Sequence, residues 1–195
     1  SLTLYYDDTN AVPANPESRI DIAVFADPAF DIEFGITAED RVSLGLERNW
    51  RYALDRLPYT AVEANQIEAV FADDSTSIFT GEQATISNFL QSQNRNARII
   101  HLASHGFSST SSADYVGFLL APDRAENIAG FLTYTDVKEY SFGAELVVIS
   151  GCETMLGENY QGSGMRSMSR AFITQGAGSV IGTYWPVQDK ATSKF

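Results

Sequence analysis

Apolar and polar positions alternate along the chain in a way that predicts strands and helices in turn. Continuous apolar runs, which are typical of strands buried on both faces, lie at residues 20–26, 98–103, 146–149 and 179–184, and a shorter run lies at 76–80. Apolar residues recur at helical spacing at residues 39–57, 63–71, 82–93, 134–140 and 163–175. Strands that alternate with helices at this pitch predict βαβ units. We therefore expect an α/β domain in which helices cover both faces of a mostly parallel sheet.

Two segments fall outside this alternation. Residues 116–121 and 130–133 predict a small hairpin that is inserted after the strand at 98–103. Residues 1–19, which contain Pro13, Pro16 and a polar stretch, predict an N-terminal arm or linker. The folded domain is therefore expected at residues 20–195.

Composition narrows the classes of protein and partner. The chain has 195 residues, of which 44% are hydrophobic, and this is enough for one globular domain with a full core. Its 25 acidic residues against 13 basic ones argue against a nucleic-acid partner, because phosphate binding needs clustered lysine and arginine. A basic polypeptide would suit this charge better, although solubility or adaptation to a salty habitat explains the acidity more simply.

The sequence also bears on location. A single cysteine cannot form an internal disulfide, so nothing indicates a secreted disulfide scaffold. The chain has no apolar run as long as a membrane-spanning helix and no signal-peptide pattern. We expect a soluble, cytoplasmic protein without a membrane partner.

The candidate chemistry lies where two apolar runs end. Cys152, the single cysteine, follows the run at 146–149, and His105 follows the run at 98–103. If these strands are parallel neighbours, both side chains lie at the edge of the sheet where α/β folds bind ligands. An imidazole can take the proton of a thiol whose pKa is ordinarily about 8.5, which makes the thiolate a nucleophile. Most free cysteines are instead small buried apolar residues, and that interpretation of Cys152 stays open at this point.

Three blocks of sequence resemble the CHAT domain, a family of caspase-like and separase-like cysteine peptidases that are often fused to tetratricopeptide repeats. The blocks are HLASHG at residues 101–106, LVVISGCET at 146–154 and GTYWPVQDKAT at 182–192. One departure is Gly151, where the family more often has alanine. The resemblance implies a caspase-like three-layer fold whose final helix continues past Phe195. It also implies a cysteine endopeptidase that is controlled by protein partners of an upstream repeat domain.

The resemblance assigns roles to individual residues. It implies that His105 is the base and Cys152 the nucleophile, and that the N–H groups of Gly106 and Cys152 bind the oxyanion. Asp189 matches the aspartate that separase-like peptidases place in the primary pocket. This implies a polypeptide substrate cleaved after a basic residue, with arginine preferred over lysine. Gly106 as a simple turn residue and Asp189 as the N-cap of the last helix are the alternatives.

Other chemistries fit the sequence less well. His101 and His105 are about 13 Å apart if both lie on one strand, which is too far to share a metal ion. We therefore interpret His101 as structural or as a residue that supports the active loop from beneath. No residues with the spacing of metal ligands surround the two site residues, so we expect neither metal nor cofactor. A cysteine phosphatase needs an arginine where this chain has Glu158. A catalytically silent, caspase-like protein-interaction module remains the alternative to a peptidase.

Overall fold

A six-stranded sheet forms the centre of the computed structural model, which describes residues 2–6, 19–31, 34–35, 56–71, 75–108, 116–150 and 168–183. Its strands are β1 (Leu2–Tyr6), β2 (Ile22–Pro28), β3 (Thr76–Gly81), β4 (Ile99–Ala103), β8 (Leu146–Ser150) and β9 (Ser179–Thr183). Their order across the sheet is β1-β9-β8-β4-β2-β3. The last five strands in this order are parallel to their neighbours, and β1 pairs antiparallel with β9. The predicted α/β class with a mostly parallel sheet is confirmed.

Three short strands form a second, antiparallel sheet next to β4. They are β5 (Gly106–Ser108), β6 (Val116–Leu119) and β7 (Phe131–Thr133), in that order. The hairpin of β6 and β7 is the one that the sequence predicts, whereas β5 is too short to give an apolar pattern. Gly117 makes the close packing of β6 and β7 possible, because a Cβ atom at this position would overlap the carbonyl oxygen of Leu132.

Helices pack on both faces of the central sheet. The described residues contain α1 (Pro58–Glu68), α2 (Ile86–Leu90), α3 (Ser92–Arg95), α4 (Tyr134–Lys138) and α5 (Met168–Thr174). Alternate side chains of β2 and β4 point to opposite faces of the sheet. Phe25 and Leu102 belong to the larger core, together with Phe89 of α2 and Phe172 of α5. On the other face a smaller core forms around Ala64 of α1, with the side chains of Ile22, Val24, Ala26 and Ala103.

Helix boundaries differ from the predictions where local signals compete. α1 begins at Pro58, where the pattern predicts the end of the preceding helix; proline suits a first helical turn because its missing N–H has no partner there. Instead of the one helix predicted at 82–93, the structure has the shorter helices α2 and α3, because Gln91 between them leaves the helical region with a ψ of 138°. Of the predicted helix at 39–57, all but residues 56–57 lies outside the described residues. The helix predicted at 163–175 is described from Met168 onward.

The edge strand β1 lies within the segment that the sequence predicts to be an arm or linker. Its register with β9 runs from Leu2 opposite Thr183 to Tyr6 opposite Ser179. The strands of a sheet pair through backbone hydrogen bonds, which do not depend on particular side chains. The composition of residues 1–19 therefore does not predict that part of this segment forms an edge strand. Part of the predicted arm therefore belongs to the sheet.

Candidate active site

The carboxyl ends of β4 and β8 lie side by side. These strands are parallel, and their register pairs Ala103 with Ser150. The hydrogen bonding continues one residue past this pair, because the N–H of Ser104 donates to the carbonyl oxygen of Ser150 over 3.1 Å. His105 follows two positions after Ala103, and Cys152 follows two positions after Ser150 in the sequence. Cys152 itself lies outside the described residues.

Ser104 and His105 are both hydrogen-bonded to Leu119 of β6. The buried hydroxyl of Ser104 donates a hydrogen bond to the carbonyl oxygen of Leu119. The N–H of Leu119 in turn donates to the carbonyl oxygen of His105 over 2.9 Å. The imidazole is half-buried, and its ring centroid lies 5.0 Å from that of Phe30. These contacts fix the turn that carries the imidazole while leaving part of the ring exposed.

Gly106 directs its N–H group away from β6. The register pairs it with Phe118, and the hydrogen bond from Leu119 to His105 lies next to this pair. In an antiparallel ladder, that arrangement makes Gly106 and Phe118 a pair that exchanges no hydrogen bonds with each other. The N–H of Gly106 therefore points to the outer edge of β5, which is the first strand of its sheet in the part of the chain that the structure describes.

His101 lies beneath α1. Its side chain is 7% exposed, and its Nε2 atom lies 3.1 Å from Oε1 of Glu63, whose side chain is 14% exposed. The two groups are not aligned as a hydrogen bond, since His101 Nε2 has no hydrogen-bond partner among the described residues. The contact is therefore electrostatic, and it becomes an ion pair when the imidazole carries a second proton. This position agrees with the structural role that the sequence predicts for His101.

Asp27 joins the carboxyl end of β2 to the start of α1. Its buried carboxylate accepts two hydrogen bonds from the guanidinium of Arg56, at 2.8 and 2.6 Å, and one from the N–H of Leu57. The hydrogen bond to Asp27 raises the pKa of Arg56. The N–H of Asp27 donates to the hydroxyl of Thr60 over 2.8 Å. Together these bonds hold Asp27 in the left-handed region, with a φ of 43°, at a bulge in the pairing of β2 with β3.

The remaining predicted site residue, Asp189, also lies outside the described residues, as does Glu158. In the part of the chain that the structure describes, no three His, Cys, Asp or Glu side chains are grouped so that they could hold a metal ion. The same part contains no helix that is long and apolar enough to cross a membrane. Of the predicted site, the structure thus describes His105, Gly106 and the strand that leads to Cys152.

The protein family follows from a comparison of the whole chain. The family model of the CHAT domain matches residues 4–195. The chain belongs to the CHAT domain family. This family is caspase-like and related to cysteine peptidases, and the parallel sheet with helices on both faces agrees with that fold. No curated protein matches the chain.

Two features near His105 in this CHAT domain were not predicted from the sequence. Phe30, which contacts the imidazole ring, lies in a segment without apolar periodicity. Asp27 precedes Pro28, and this pair signals only the end of a strand. A buried aspartate at a strand end is a weak indication of a structural ion pair, but its partner, Arg56, is 29 residues away in the chain.

Proposed function

We propose that this CHAT domain is a cysteine endopeptidase in which His105 and Cys152 act as a dyad. The observation that carries the proposal is the register of β4 and β8, which pairs Ala103 with Ser150. Each proposed catalytic residue follows the paired residue of its own strand by two positions in the sequence. Because the strands are parallel, this equal offset favours an imidazole and a thiol at the same edge of the sheet, the edge where α/β folds bind their ligands.

In the proposed reaction, His105 takes the proton of the Cys152 thiol, and the thiolate attacks the carbonyl carbon of a peptide bond. As the tetrahedral intermediate collapses, the imidazolium gives this proton to the leaving amine, and an acyl-enzyme forms. A water molecule, deprotonated by His105, then hydrolyses the thioester and restores the thiol. The contacts of the Ser104–His105 turn with β6 and Phe30 support this role, because a base must be held in place to transfer protons efficiently.

The oxyanion of the intermediate is proposed to bind to the N–H groups of Gly106 and Cys152. The outward direction of the Gly106 N–H supports this assignment, because the amide is not used in the pairing of β5 with β6. Loss of one such donor typically lowers the rate by a factor of about 10² to 10³.

Asp189 is proposed to select the substrate. A carboxylate in the primary pocket accepts two parallel hydrogen bonds from a guanidinium, so arginine before the cleaved bond would be preferred over lysine. Asp189 follows β9, the strand next to β8 in the sheet, which supports its assignment to the same edge as Cys152. Control by protein partners, through repeats fused to the domain, and a cytoplasmic location are part of the same proposal.

The test is the turnover of an arginyl peptide by three variants: Cys152→Ala, His105→Ala and the double variant. Residues that act as one unit lose activity non-additively, so each single variant should be about as inactive as the double variant. His101→Gln is the matched control, because it changes an imidazole on the same segment that does not lie in the proposed dyad. Thermal unfolding of each variant separates lost chemistry from lost structure.

Two results would contradict the proposal. Near-normal turnover by His105→Ala would remove His105 as the base. Turnover by Cys152→Ala equal to that of the unchanged protein would remove the thiol from the reaction. If the folded, unchanged protein cleaves no peptide and no arginyl peptide electrophile labels Cys152, the domain is an interaction module rather than a peptidase.

A further inference from the structure

A cavity of about 520 Å³ opens beside His105 on the side away from β8. Three segments line it: residues 29–31 after β2, residues 82–88 after β3 and residues 121–124 after β6. Phe30 connects the cavity with the candidate site, because it lines the cavity and its ring centroid lies 5.0 Å from that of His105. The cavity thus begins one aromatic ring away from the proposed base.

The position of the cavity relative to the order of the strands indicates which part of a bound peptide would reach it. The strand order β8-β4-β2-β3 puts β4, which leads to His105, between β8 and the cavity. In the proposed reaction the leaving amine takes its proton from the imidazole, so the new amino terminus lies on the His105 side of the cleaved bond. An extended peptide advances about 3.3 Å per residue, so a peptide that runs from the cleaved bond toward β2 would bring its first two residues after the bond past Phe30.

The lining combines apolar and acidic residues. Phe30, Ala121 and Pro122 supply apolar surface, and the lining also contains three acidic residues, Asp31, Glu82 and Asp123. The fourth charged group, the guanidinium of Arg124, lies 2.6 Å from Asp31 and so compensates that carboxylate. The pKa of Asp123 is lowered, first by the neighbouring Ser87 hydroxyl and then by the N–H groups of Glu126 and Ala125, so this carboxylate is ionised at neutral pH. Glu82, which also lines the cavity, is exposed to solvent.

We propose that this cavity is a substrate subsite that receives a lysine or arginine side chain from the first two positions after the cleaved bond. The aliphatic stem of such a side chain would pack on Phe30 and Pro122, and its cationic head would lie near Glu82 and Asp123. The proposal rests on the peptidase function above. It adds a second determinant of specificity, on the opposite side of the cleaved bond from the one assigned to Asp189.

The test uses quenched fluorescent peptides with arginine before the cleaved bond and lysine, alanine or glutamate at each of the next two positions. We expect kcat/KM to fall in the order lysine, alanine, glutamate at one of these positions. Glu82→Gln should lower the lysine-to-alanine ratio about two- to five-fold, the size expected for an exposed charge pair. Glu82→Lys should reverse the order, so that the glutamate peptide is cleaved faster than the lysine peptide.

Two controls separate the subsite from general electrostatics. Glu68→Gln removes the same charge at an exposed position of α1 outside the cavity, and it should leave the lysine-to-alanine ratio unchanged. Asp123→Asn keeps a side chain that can accept the turn's N–H bonds, and it should lower the ratio in the same direction as Glu82→Gln.

A binding measurement keeps this inference distinct from the peptidase proposal. A fluorescent peptide with the sequence of the leaving product, bearing lysine at its first two positions, should bind to Cys152→Ala and lose affinity in Glu82→Gln. The subsite is overturned, and the peptidase proposal stands, if the protein cleaves peptides without a preference for lysine after the bond. The same conclusion follows if Glu82→Gln and Glu68→Gln change that preference equally. If peptides bind in a way that depends on Glu82 but the unchanged protein cleaves no peptide, the peptidase proposal fails, and the assignment of the cavity to residues after the cleaved bond fails with it. If the product peptide does not bind and cleavage shows no preference for lysine after the bond, the subsite is overturned, whatever the outcome for the peptidase.

Discussion

The N–H of Ser104 donates to the carbonyl oxygen of Ser150 over 3.1 Å, one residue past the last paired position of β4 and β8. The two strands therefore end at the same edge of the sheet, and in the sequence His105 follows β4 and Cys152 follows β8. This relationship between the ends of β4 and β8 is made by backbone hydrogen bonds rather than by side-chain contacts. Both serines are buried at this point, and the hydroxyl of Ser104 is hydrogen-bonded to the carbonyl oxygen of Leu119.

The contact between His101 and Glu63 should stabilise the fold without contributing to catalysis. His101→Leu alone leaves a buried carboxylate without its partner, and it should lower the free energy of unfolding by about 1–3 kcal/mol. The double variant His101→Leu/Glu63→Met should lose less than the sum of the two single variants, because it removes both buried polar groups. Denaturant unfolding of the four proteins gives the result. Strict additivity would mean that the 3.1 Å contact does not couple the two residues.

Asp27 offers a test of backbone strain at the end of β2. Both Asp27→Gly and Asp27→Ala lose the hydrogen bonds to Arg56 and Leu57, but only alanine keeps a Cβ at a φ of 43°. The glycine variant should therefore be more stable than the alanine variant by about 1 kcal/mol. Equilibrium unfolding measures the difference. An alanine variant at least as stable as the glycine variant would show that Asp27 does not hold the left-handed conformation in solution.

Asp123 should account for part of the loss of folding stability at acidic pH. Its pKa is lowered from 3.8 in the folded protein, chiefly by Ser87, so the unfolded chain binds its proton more readily than the folded one. The contribution of Asp123 to stability is then complete at a pH above its pKa in the unfolded chain, and it is lost as the pH falls through its pKa in the folded protein. Acid titration of stability should be less steep for Asp123→Asn than for the unchanged protein. Superimposable titrations of the two proteins would contradict the lowered pKa.

Asp189→Asn should reduce cleavage after arginine far more than cleavage after other residues. By analogy with the loss of one partner of a buried charge pair, the expected loss is about 2–5 kcal/mol of transition-state stabilisation on arginyl substrates. The measurement is kcat/KM for peptides that differ only at the position before the cleaved bond. A preference for aspartate or for an apolar residue in the unchanged protein would remove Asp189 from the primary pocket.

Much of the fold could be predicted because its signals are local. The apolar runs gave β4 and β8, and the position of His105 and Cys152 after these runs indicated the edge of the sheet that carries the candidate site. The contacts of Phe30 and Asp27 could not be predicted in this way, because each depends on a partner far away in the chain. The start of α1 was not predicted for a different reason. Proline can follow the end of one helix and also suits the first turn of the next, so Pro58 alone does not show which of the two applies.

The central claim is that His105 activates Cys152, and the rate of alkylation of Cys152 by iodoacetamide tests it most directly. Cys152 is the only cysteine, so incorporated label reports a single site. At about pH 6.5, roughly two units below the ordinary pKa of a thiol, the unchanged protein should react much faster than His105→Ala. His101→Gln should react like the unchanged protein. Equal rates in the unchanged protein and His105→Ala, both rising only near pH 8.5 as for an ordinary thiol, would contradict the dyad.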